Sequence, residues 1–388
     1  MTVLNDLCEL IVDCEHKTAP KSPQGFPSIR TPNVGRGRLI LEGANRVDQN
    51  TYDRWTRRAV PRTDDLIIAR EAPVGNVAII RAGQQVCLGQ RTVLVRPDPK
   101  KVYPEFLCYF MLGEYVQGQF QGVSVGATVP HLNMADIRGL VVPPLPNLQT
   151  QRRIASILSA YDDLIENNTR RIAILEEMAR RLYEEWFVHF RFPGHEDATF
   201  IETEDGRVPE GWKYNRLQDF IELAYGKALK AADREEGPYP VFGSSGIVGT
   251  HKNYLVEGPG IILGRKGNVG SVHWTEQSFF PIDTVYYVKT ELPLEYVFFN
   301  LQTQNFLNND AAVPGLNRNQ AYALPFLKPS DELLEKFTLH CKPLYDLVRK
   351  LRRKSENLRA QRDLLLPKLI SGEITVREGE NSLENAVA

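Results

Sequence analysis

The sequence predicts an α+β protein with two β-rich mixed α/β globular domains, separated by two long helices that form an antiparallel coiled coil, as an internal pseudo-twofold repeat. Three observations predict this fold: short phrases that occur twice in the same order, β-branched runs bounded by glycine and proline, and two long heptad patterns. A chain of 388 residues is also too long for one ordinary hydrophobic core.

The repeat is visible as pairs of similar phrases. LGRKGNVGSV at 263–272 resembles IAREAPVGNV at 68–77, and AVPGLN at 312–317 resembles TVPHLN at 128–133. Along the chain the offset between matching phrases falls stepwise from 213 to 184, while the order of the phrases is kept. A duplicated unit with loops of unequal length produces such offsets, whereas chance matches would scatter them. The sequence therefore predicts two related globular copies.

Each copy has the pattern of a small β-rich domain. PEFLCYFML and LEYVFFNLQ each predict one short buried helix after the last strand, and the proline clusters in VVPPLP and LPFLKP close the two globular parts. The predicted strands are 67–69, 77–80 and 92–95 in the first copy and 261–263, 271–274 and 284–288 in the second.

After each globular part the sequence changes to a helical pattern, in which alternating steps of four and three residues separate the apolar positions. Pro343 interrupts the second pattern and is expected to kink the helix or to start it afresh, whereas Pro367 and Gly372 are expected to end it. The predicted coiled-coil core consists of Ile154, Leu158, Tyr161, Ile165, Asn168, Ile172, Leu175, Leu182, Leu344, Val348, Leu351, Ser355, Leu358 and Leu365.

Two helices that each carry one apolar seam need a partner, and the economical partner for each helix is the other. If the two copies are alike, the second helix runs antiparallel to the first, and the domains lie at opposite ends of a rod of roughly 50 Å. Twofold symmetry then places Asn168 beside Ser355 and Ile172 beside Leu351. A buried polar pair of this kind can fix the register of a coiled coil.

The composition is that of a soluble globular protein, with 42% hydrophobic and 24% charged residues. No run of eighteen apolar residues predicts a membrane span, and the first residues lack the pattern of a secretion signal. The five cysteines are odd in number and irregularly spaced, so free thiols are strongly favoured over disulfides or a metal site. We therefore expect a cytoplasmic protein that binds no metal and contacts no membrane.

The net charge of −1 is unevenly distributed along the chain. Eight arginines and three acidic residues lie between residues 30 and 62, and arginine can bond guanine or hold phosphates, so DNA contact is slightly favoured over a solvated loop. The second copy is acidic, which argues against tight nonspecific DNA binding by that copy alone. The candidate DNA-binding residues are Arg30, Arg36, Arg38, Arg54, Arg57, Arg58, Arg70, Lys227, Lys230, Lys252, Arg265, Lys266 and Arg318.

Arg70 and Arg265 occupy the same position of the repeat. At the end of a strand, each arginine is equally compatible with a phosphate contact and with a structural bond to a carboxylate. Asn133 and Asn317 precede two short helical patterns and are expected to cap helices rather than to contact a ligand.

No catalytic residue is predicted. The sequence contains no P-loop, dinucleotide fingerprint, HExxH or GxSxG motif. The seven histidines are dispersed, and His131, His251 and His273 are expected to be structural. An enzyme that acts alone is therefore not favoured.

Taken in order, several segments resemble the specificity subunit of type I restriction-modification systems. They are the helix VVPPLPNLQTQRRIASILSAYDDLIENNTRRIAILEEMARRLYEEWF, the linker VPEGW, the phrases YPVFGSSGIVG and AVPGLNRN, and the closing LLLPKLISGEI. The resemblance covers nearly the whole chain, although no single motif decides it. It implies two target-recognition domains that each read one half of a split, asymmetric DNA target, with helices that space them and hold partner subunits.

The resemblance also implies the domain boundaries and the partners. The expected partners are double-stranded DNA, two methyltransferase subunits and, in the larger complex, restriction subunits. No cofactor is expected on this chain, since S-adenosylmethionine belongs to the methyltransferase subunits, and ATP and Mg²⁺ belong to the restriction subunits. The expected segments are recognition domain 1 (1–147), spacer helix 1 (148–190), recognition domain 2 (207–330), spacer helix 2 (331–373) and a flexible tail (374–388).

Two other functions remain open on the sequence alone. A coiled-coil scaffold could bind protein partners through both globular heads, and a stand-alone nuclease or methyltransferase would show activity as a purified single chain. DNA binding, tested with and without a methyltransferase partner, separates the scaffold from the specificity subunit. The target bases are not readable from the sequence, because base choice depends on which side chains reach the groove edges.

Overall fold

The computed structural model describes residues 2–124, 131–203, 206–306 and 315–387, and the chain divides into two compact units. Unit 1 consists of Met1–Asn167 and Lys354–Ala388, and unit 2 consists of Asn168–Arg353. Each unit contains one globular part together with a segment of each of the two long helices.

The described residues of unit 1 contain ten strands, the short helices α1 to α4 and α9, the first part of the long helix α5 and the end of the long helix α8. A five-stranded sheet has the order β2-β9-β6-β7-β4, a three-stranded sheet has the order β5-β3-β8, and β1 pairs with β10. The elements are β1 (Thr2–Val3), β2 (Cys8–Asp13), β3 (Phe26–Ile29), β4 (Gly37–Arg38), β5 (Arg46–Val47), α1 (Gln49–Trp55), β6 (Leu66–Ala69), β7 (Val77–Ile79), β8 (Cys87–Leu88), β9 (Thr92–Pro97), α2 (Pro104–Leu112), α3 (Glu114–Ser124), α4 (Met134–Arg138), β10 (Val141–Val142) and α5 (Leu148–Tyr183).

Unit 2 contains a four-stranded sheet of order β14-β20-β17-β18, a three-stranded sheet of order β16-β15-β19, and the pairs β11-β12 and β13-β21. Its elements are β11 (Phe200–Thr203), β12 (Gly206–Pro209), β13 (Lys213–Arg216), β14 (Ile221–Tyr225), β15 (Tyr239–Gly243), β16 (Gly246–His251), β17 (Gly260–Gly264), β18 (Val272–Thr275), β19 (Phe280–Pro281), β20 (Val285–Thr290), α6 (Leu294–Thr303), α7 (Arg318–Tyr322) and β21 (Pro325–Lys328). Helix α8 (Asp331–Ser371) begins in unit 2 and ends in unit 1, and α9 (Val376–Val387) belongs to unit 1.

The strands form where β-branched residues are buried on both faces. All four residues of β6 and all three of β7 are buried, which is expected for central strands covered on each side. The predicted short helices are present as α2 and α6, and the residues of α2 after its first turn are almost all buried. Asn317 caps α7, because its Oδ1 accepts hydrogen bonds from the N–H groups of Asn319 and Gln320.

Local sequence signals fix the ends of the two long helices. At the start of α5, the Asn147 Oδ1 accepts a hydrogen bond from the Thr150 N–H at 2.9 Å. At its end the helix widens into a π-helix over Glu184–Val188, and Phe190 adopts a positive φ of 57°. Helix α8 ends before Gly372, which has a φ of +76°, as the sequence predicted.

The two prolines of α8 lie inside one continuous helix. The helix runs without a break from Asp331 to Ser371. Pro343 therefore does not start a new helix, and Pro367 does not end this one. A proline removes the hydrogen bond to the carbonyl four residues earlier, which is Leu339 for Pro343. The Leu339 side chain is 70% exposed, so this turn faces water, which can satisfy the freed carbonyl.

Most of the segment predicted to be a flexible tail at 374–388 is instead the helix α9, Val376–Val387. Thr375 and Glu378 form a capping box, in which the Thr375 N–H donates to the Glu378 carboxylate at 2.6 Å and the Glu378 N–H donates to the Thr375 hydroxyl. Leu383 packs against the core of unit 1, and the Glu380 carboxylate binds the Arg153 guanidinium at 2.9 Å. The apolar contacts of residues such as Leu383 stabilise the helix, although the composition of the segment is mostly polar.

The predicted seam residues are buried or half-buried in the units to which they belong. In unit 1, Leu158 and Leu365 share one core with Phe106 of α2. The side-chain nitrogen of Asn168 and the hydroxyl oxygen of Ser355 have no hydrogen-bond partner among the described residues. The predicted pairing of these two residues stays a prediction. The buried seam residues are Ile154, Leu158, Tyr161, Asn168, Val348, Leu351, Ser355, Leu358 and Leu365, and the half-buried ones are Ile165, Ile172, Leu175, Leu182 and Leu344.

Each globular part is fastened to its helix segments by different chemistry. In unit 1 the buried Asp162 carboxylate of α5 accepts a hydrogen bond from the Tyr109 hydroxyl at 2.7 Å and pairs with Arg362 of α8. In unit 2 an aromatic cluster joins the globular part to the helices, and the centre of the Phe187 ring lies 5.0 Å from that of Phe337 and 4.8 Å from that of Tyr296. Among the described residues, no helix is long and apolar enough to cross a bilayer.

Replacing Leu158 by alanine is expected to lower the free energy of unfolding by about 2 to 5 kcal/mol, because the fully buried side chain leaves a cavity in the core of unit 1. Urea unfolding followed by circular dichroism measures the change. The matched control is Leu364→Ala in α8, since Leu364 is 62% exposed and its loss is expected to change stability by less than about 0.5 kcal/mol. Equal effects of the two substitutions would contradict the assignment of Leu158 to the core.

Candidate DNA interface

The arginine-rich segment of unit 1 presents several exposed cations. Arg30 follows β3, Arg54 lies in α1, and Arg57 follows that helix, and all three side chains are exposed. The Arg54 guanidinium lies 5.5 Å from the centre of the Trp55 ring. No carboxylate within the described ranges pairs with these three arginines, so their charge is available to an anionic ligand.

Two further arginines of this segment are exposed but partly engaged. The Arg36 guanidinium donates to the Leu112 carbonyl at 3.2 Å. The Arg58 guanidinium donates to the carbonyls of Asp13 and Cys14 at 3.2 and 3.1 Å. Arg36 thus holds one hydrogen bond to the backbone and Arg58 holds two, and the Arg58 guanidinium also lies 4.0 Å from the Glu15 carboxylate.

Arg38 is engaged within unit 1, and its contact with DNA stays a prediction. Its half-buried guanidinium forms ion pairs with Asp163 and Glu166 of α5. These two carboxylates lie three residues apart and therefore on the same face of the helix. Arg38 fastens β4 to α5 within unit 1, a role that sequence proximity could not show because the partners lie far along the chain.

Arg70 is likewise held inside unit 1, because only 6% of its surface is exposed. Its guanidinium donates to both oxygens of Asp13 at 2.9 Å and to the Leu132 carbonyl at 2.7 Å. The remaining nitrogen lies 2.8 Å from His131 Nε2. A buried guanidinium needs this complete set of partners, because an unpaired buried charge is strongly destabilising.

His131 connects this arginine to a second carboxylate. Arginine only donates hydrogen bonds, so His131 Nε2 must accept from Arg70, and the Nδ1–H must donate to Glu71 Oε1 at 2.7 Å. His131 is therefore a structural residue, as predicted. We call Asp13, Arg70, Glu71 and His131 the Arg70 cluster.

Asp13, Cys14 and His16 also form a group whose ligand atoms lie within 4.8 Å of one another. The Asp13 carboxylate already receives two bonds from Arg70, and burial raises the pKa of the Cys14 thiol, which disfavours the thiolate that a metal would need. The contacts present therefore favour an ion-paired cluster here over a metal site. All five cysteines are free.

In unit 2 the equivalent place carries a different set of side chains. The guanidinium carbons of Arg265 and Arg318 each lie 5.0 Å from the centre of the Tyr225 ring. Arg265 also donates to the Asp283 carbonyl at 3.1 Å, and Lys266 lies beside it with its ammonium 4.0 Å from the Asp283 carboxylate. We call Tyr225, Arg265, Lys266 and Arg318 the Arg265 cluster.

The backbone shows that Arg70 and Arg265 occupy equivalent places in their sheets. Each follows the third strand in its sheet order, β6 in unit 1 and β17 in unit 2, and the carbonyl of each accepts a hydrogen bond from a leucine N–H. The donor is Leu132 at 3.1 Å for Arg70 and Leu316 at 2.8 Å for Arg265. The sequence prediction of a shared position agrees with this geometry, but the environments of the two arginines differ.

Strand pairing also defines the neighbours of the two arginines. Counted along hydrogen-bonded pairs across β9 and β20, Asp13 at the end of β2 corresponds to Tyr225 at the end of β14. The residues that follow the two arginines, Glu71 and Lys266, correspond in the same way. Two carboxylates of the Arg70 cluster are therefore replaced in the Arg265 cluster by an aromatic ring and a cation.

The other predicted lysines of unit 2 divide into two groups. Lys227 and Lys230 are exposed, and no carboxylate of the described chain forms an ion pair with them. Lys252 is also exposed, but its ammonium pairs with Glu235 at 2.7 Å. Lys227 follows Tyr225 by two residues and therefore lies near the Arg265 cluster.

Tyr225 is the residue that sequence reasoning missed. The phrases TVLV at 92–95 and TVYY at 284–287 look equivalent, but the strand pairing equates Thr92 with Val285. The one-residue difference hides the correspondence between Asp13 and Tyr225. An alignment anchored on the two arginines and the strand pairs would have found it.

Comparison with known proteins assigns the family. The model of the type I restriction modification DNA specificity domain matches residues 4–177 and 209–320, which is more than half of the chain. A type I restriction enzyme MjaIX specificity subunit of Methanocaldococcus jannaschii is 25% identical over 87% of this chain and 84% of its own length. A type I restriction enzyme HindI specificity subunit of Haemophilus influenzae is 21% identical over 73% of this chain and 80% of its own.

The fold agrees with this assignment. The crystal structure of a type I restriction-modification system S subunit from M. genitalium has a TM-score of 0.55 and 17% identity, and the match covers 95% of each chain. The relatives are named as specificity subunits, a non-catalytic role, as the sequence predicted. The chain therefore belongs to the family of the type I restriction modification DNA specificity domain.

Proposed function

We propose that this chain is the sequence-specific DNA recognition subunit of a type I restriction-modification complex. Each globular part reads one half of a split, asymmetric target, and the long helices set the gap and recruit methyltransferase subunits. One observation carries the proposal: four strands of the main sheet follow a corresponding order in the two units, but the side chains at corresponding positions, such as Asp13 and Tyr225, differ. Two related heads with different surfaces fit two different half-sites.

The shared topology supports an internal repeat. The order β2-β9-β6-β7 in unit 1 corresponds to β14-β20-β17-β18 in unit 2. The parallel pair β3-β8 corresponds to β15-β19, and the antiparallel pair β3-β5 corresponds to β15-β16. We assign the recognition domains to 1–147 and 207–330 on this basis, with spacer helices at 148–190 and 331–373.

Contacts within unit 2 support an antiparallel helix pair. Arg352 of α8 binds Glu176 of α5 at 2.6 Å, and the Phe337 ring lies 6.0 Å from Trp186. Residue numbers therefore rise along α5 as they fall along α8. The buried seam residues of both helices fit a coiled-coil spacer.

The helices also offer surface for protein partners. Ile174, Met178, Leu339 and Leu364 are large apolar side chains that are at least half exposed. Exposed apolar residues on a helix pair suit the docking of the methyltransferase subunits. In this scheme S-adenosylmethionine is bound by those subunits, ATP and Mg²⁺ by restriction subunits, and no cofactor by this chain.

The complex with a methyltransferase subunit is expected to bind duplex DNA and to retard a random-sequence duplex in a gel-shift experiment. Exposed cations such as Arg54 and Arg57 supply the nonspecific component, which weakens as salt increases. Methylome mapping of cells with and without the gene then reads out the target. If neither the chain nor the complex binds DNA while partner proteins still bind, the chain is a scaffold.

Removing one heptad from each long helix, 169–175 and 349–355, is expected to shorten the gap between the half-sites. Seven helical residues span about 10 Å, the rise of about three base pairs. Methylome mapping checks the result, and both half-sites should keep their bases because neither globular part is changed. As a control, replacing 1–147 by the first domain of another family member should alter one half-site only. A change in both halves would contradict the modular assignment.

A further inference from the structure

The Arg265 cluster brings two guanidinium groups onto one aromatic ring. Tyr225 is 49% exposed, and both Arg265 and Arg318 lie 5.0 Å from its ring centre. Arg265 is also 5.7 Å from the Tyr286 ring, and Arg318 is 5.8 Å from the Tyr322 ring. The faces of aromatic rings attract cations, which allows two like charges to share this small area.

The charge of the cluster is not neutralised in the part of the chain that the structure describes. Within those ranges neither Arg265 nor Arg318 forms an ion pair with a carboxylate, and Lys266 approaches only Asp283, at the long distance of 4.0 Å. Lys227 adds a further exposed cation nearby. The cluster is therefore a local positive site on a globular part that is acidic as a whole.

The equivalent site of unit 1 shows what a structural arginine looks like in this fold. There Arg70 is buried, and Asp13 and Glu71 supply two carboxylates at the positions taken by Tyr225 and Lys266. If Arg265 only stabilised the turn, we would expect a carboxylate at the position of Tyr225, as Asp13 provides for Arg70 in unit 1. Because unit 2 has the exposed Tyr225 ring in place of that carboxylate, the Arg265 guanidinium lacks this ion pair within the unit and can bind an anionic ligand instead.

We propose that the Arg265 cluster binds the phosphate backbone of duplex DNA, and that the Arg70 cluster does not. The proposal deepens the proposed function, on which it rests, and gives the two heads different backbone contacts. Guanidinium groups match phosphate oxygens in a bidentate fork, and the Tyr225 ring holds the two forks in place. The two guanidiniums already occupy the ring, so a phosphate suits the site better than a stacked base.

The test measures how salt weakens DNA binding by the full chain with its methyltransferase subunit. A fluorescein-labelled duplex of random sequence serves as the probe in anisotropy titrations between about 50 and 200 mM salt. Arg265→Gln and Arg318→Gln are each expected to lower the slope of log affinity against log salt by about 0.9, the value for one lost phosphate contact. Over that salt range, each substitution reduces the salt-induced loss of affinity by about threefold.

Two further variants separate charge from shape. Arg318→Lys keeps the cation and is expected to retain most of the slope. Tyr225→Asp places a carboxylate where unit 1 has Asp13, and it is expected to lower the slope at least as much as the loss of one arginine. The matched control is Lys289→Gln, because Lys289 is an exposed cation of the same sheet that pairs with Glu222 at 2.9 Å. Its slope should stay at the wild-type value.

The outcomes distinguish this proposal from the proposed function. If the wild-type complex binds DNA and the Arg265 and Arg318 variants keep its slope, with unchanged thermal unfolding, the phosphate site is refuted and the proposed function stands. If these variants lose the methyltransferase subunit but keep the slope, the cluster is a protein interface instead. If the wild-type complex binds no duplex at all, both proposals fail.

Discussion

Each unit depends on the burial of one face of α5 and one face of α8 in the core of its own globular part. Ile154 and Leu358 share the core of unit 1 with the strands of its main sheet, and Tyr183 and Phe337 share the core of unit 2 with α6. The helices are therefore not separate connectors, since their ends complete two domain cores. Because interiors are close-packed, displacement of a helix end would disturb the sheet that packs on it.

The two units meet this constraint with different interactions. In unit 1, Asp162 is buried among Tyr109 and Arg362, and burial together with this carboxylate raises the pKa of the Tyr109 hydroxyl. Buried charges require exact partners, so this joint is sensitive to geometry. In unit 2 aromatic rings such as Phe187 pack by shape and tolerate a range of angles. A shared topology thus does not imply a shared way of holding the helix.

The sequence predicted the elements that periodicity defines. The second long helix, expected at 331–373, is observed as Asp331–Ser371, because an apolar seam specifies a helix whatever its partner. Predictions of contacts were weaker, since Arg38 and Arg70 look like exposed cations until the fold brings Glu166 and Asp13 to them. The T-x-x-E signal before α9 was present but missed. The helix end predicted at Pro367 is not observed, because the destabilisation that a proline causes inside a helix depends on whether water can bind the carbonyl that loses its hydrogen bond.

The division of the chain has a consequence for synthesis on the ribosome. Unit 2 is contiguous, from Asn168 to Arg353, whereas unit 1 needs both its N-terminal part and residues after Lys354. Leu358 and Leu369 of the unit 1 core leave the ribosome only after the whole of unit 2. Until then, the N-terminal part of unit 1 lacks these residues, and part of its core stays exposed. The half of the protein that is translated first is therefore completed last, and a premature stop near residue 353 would spare unit 2 and leave unit 1 unfinished.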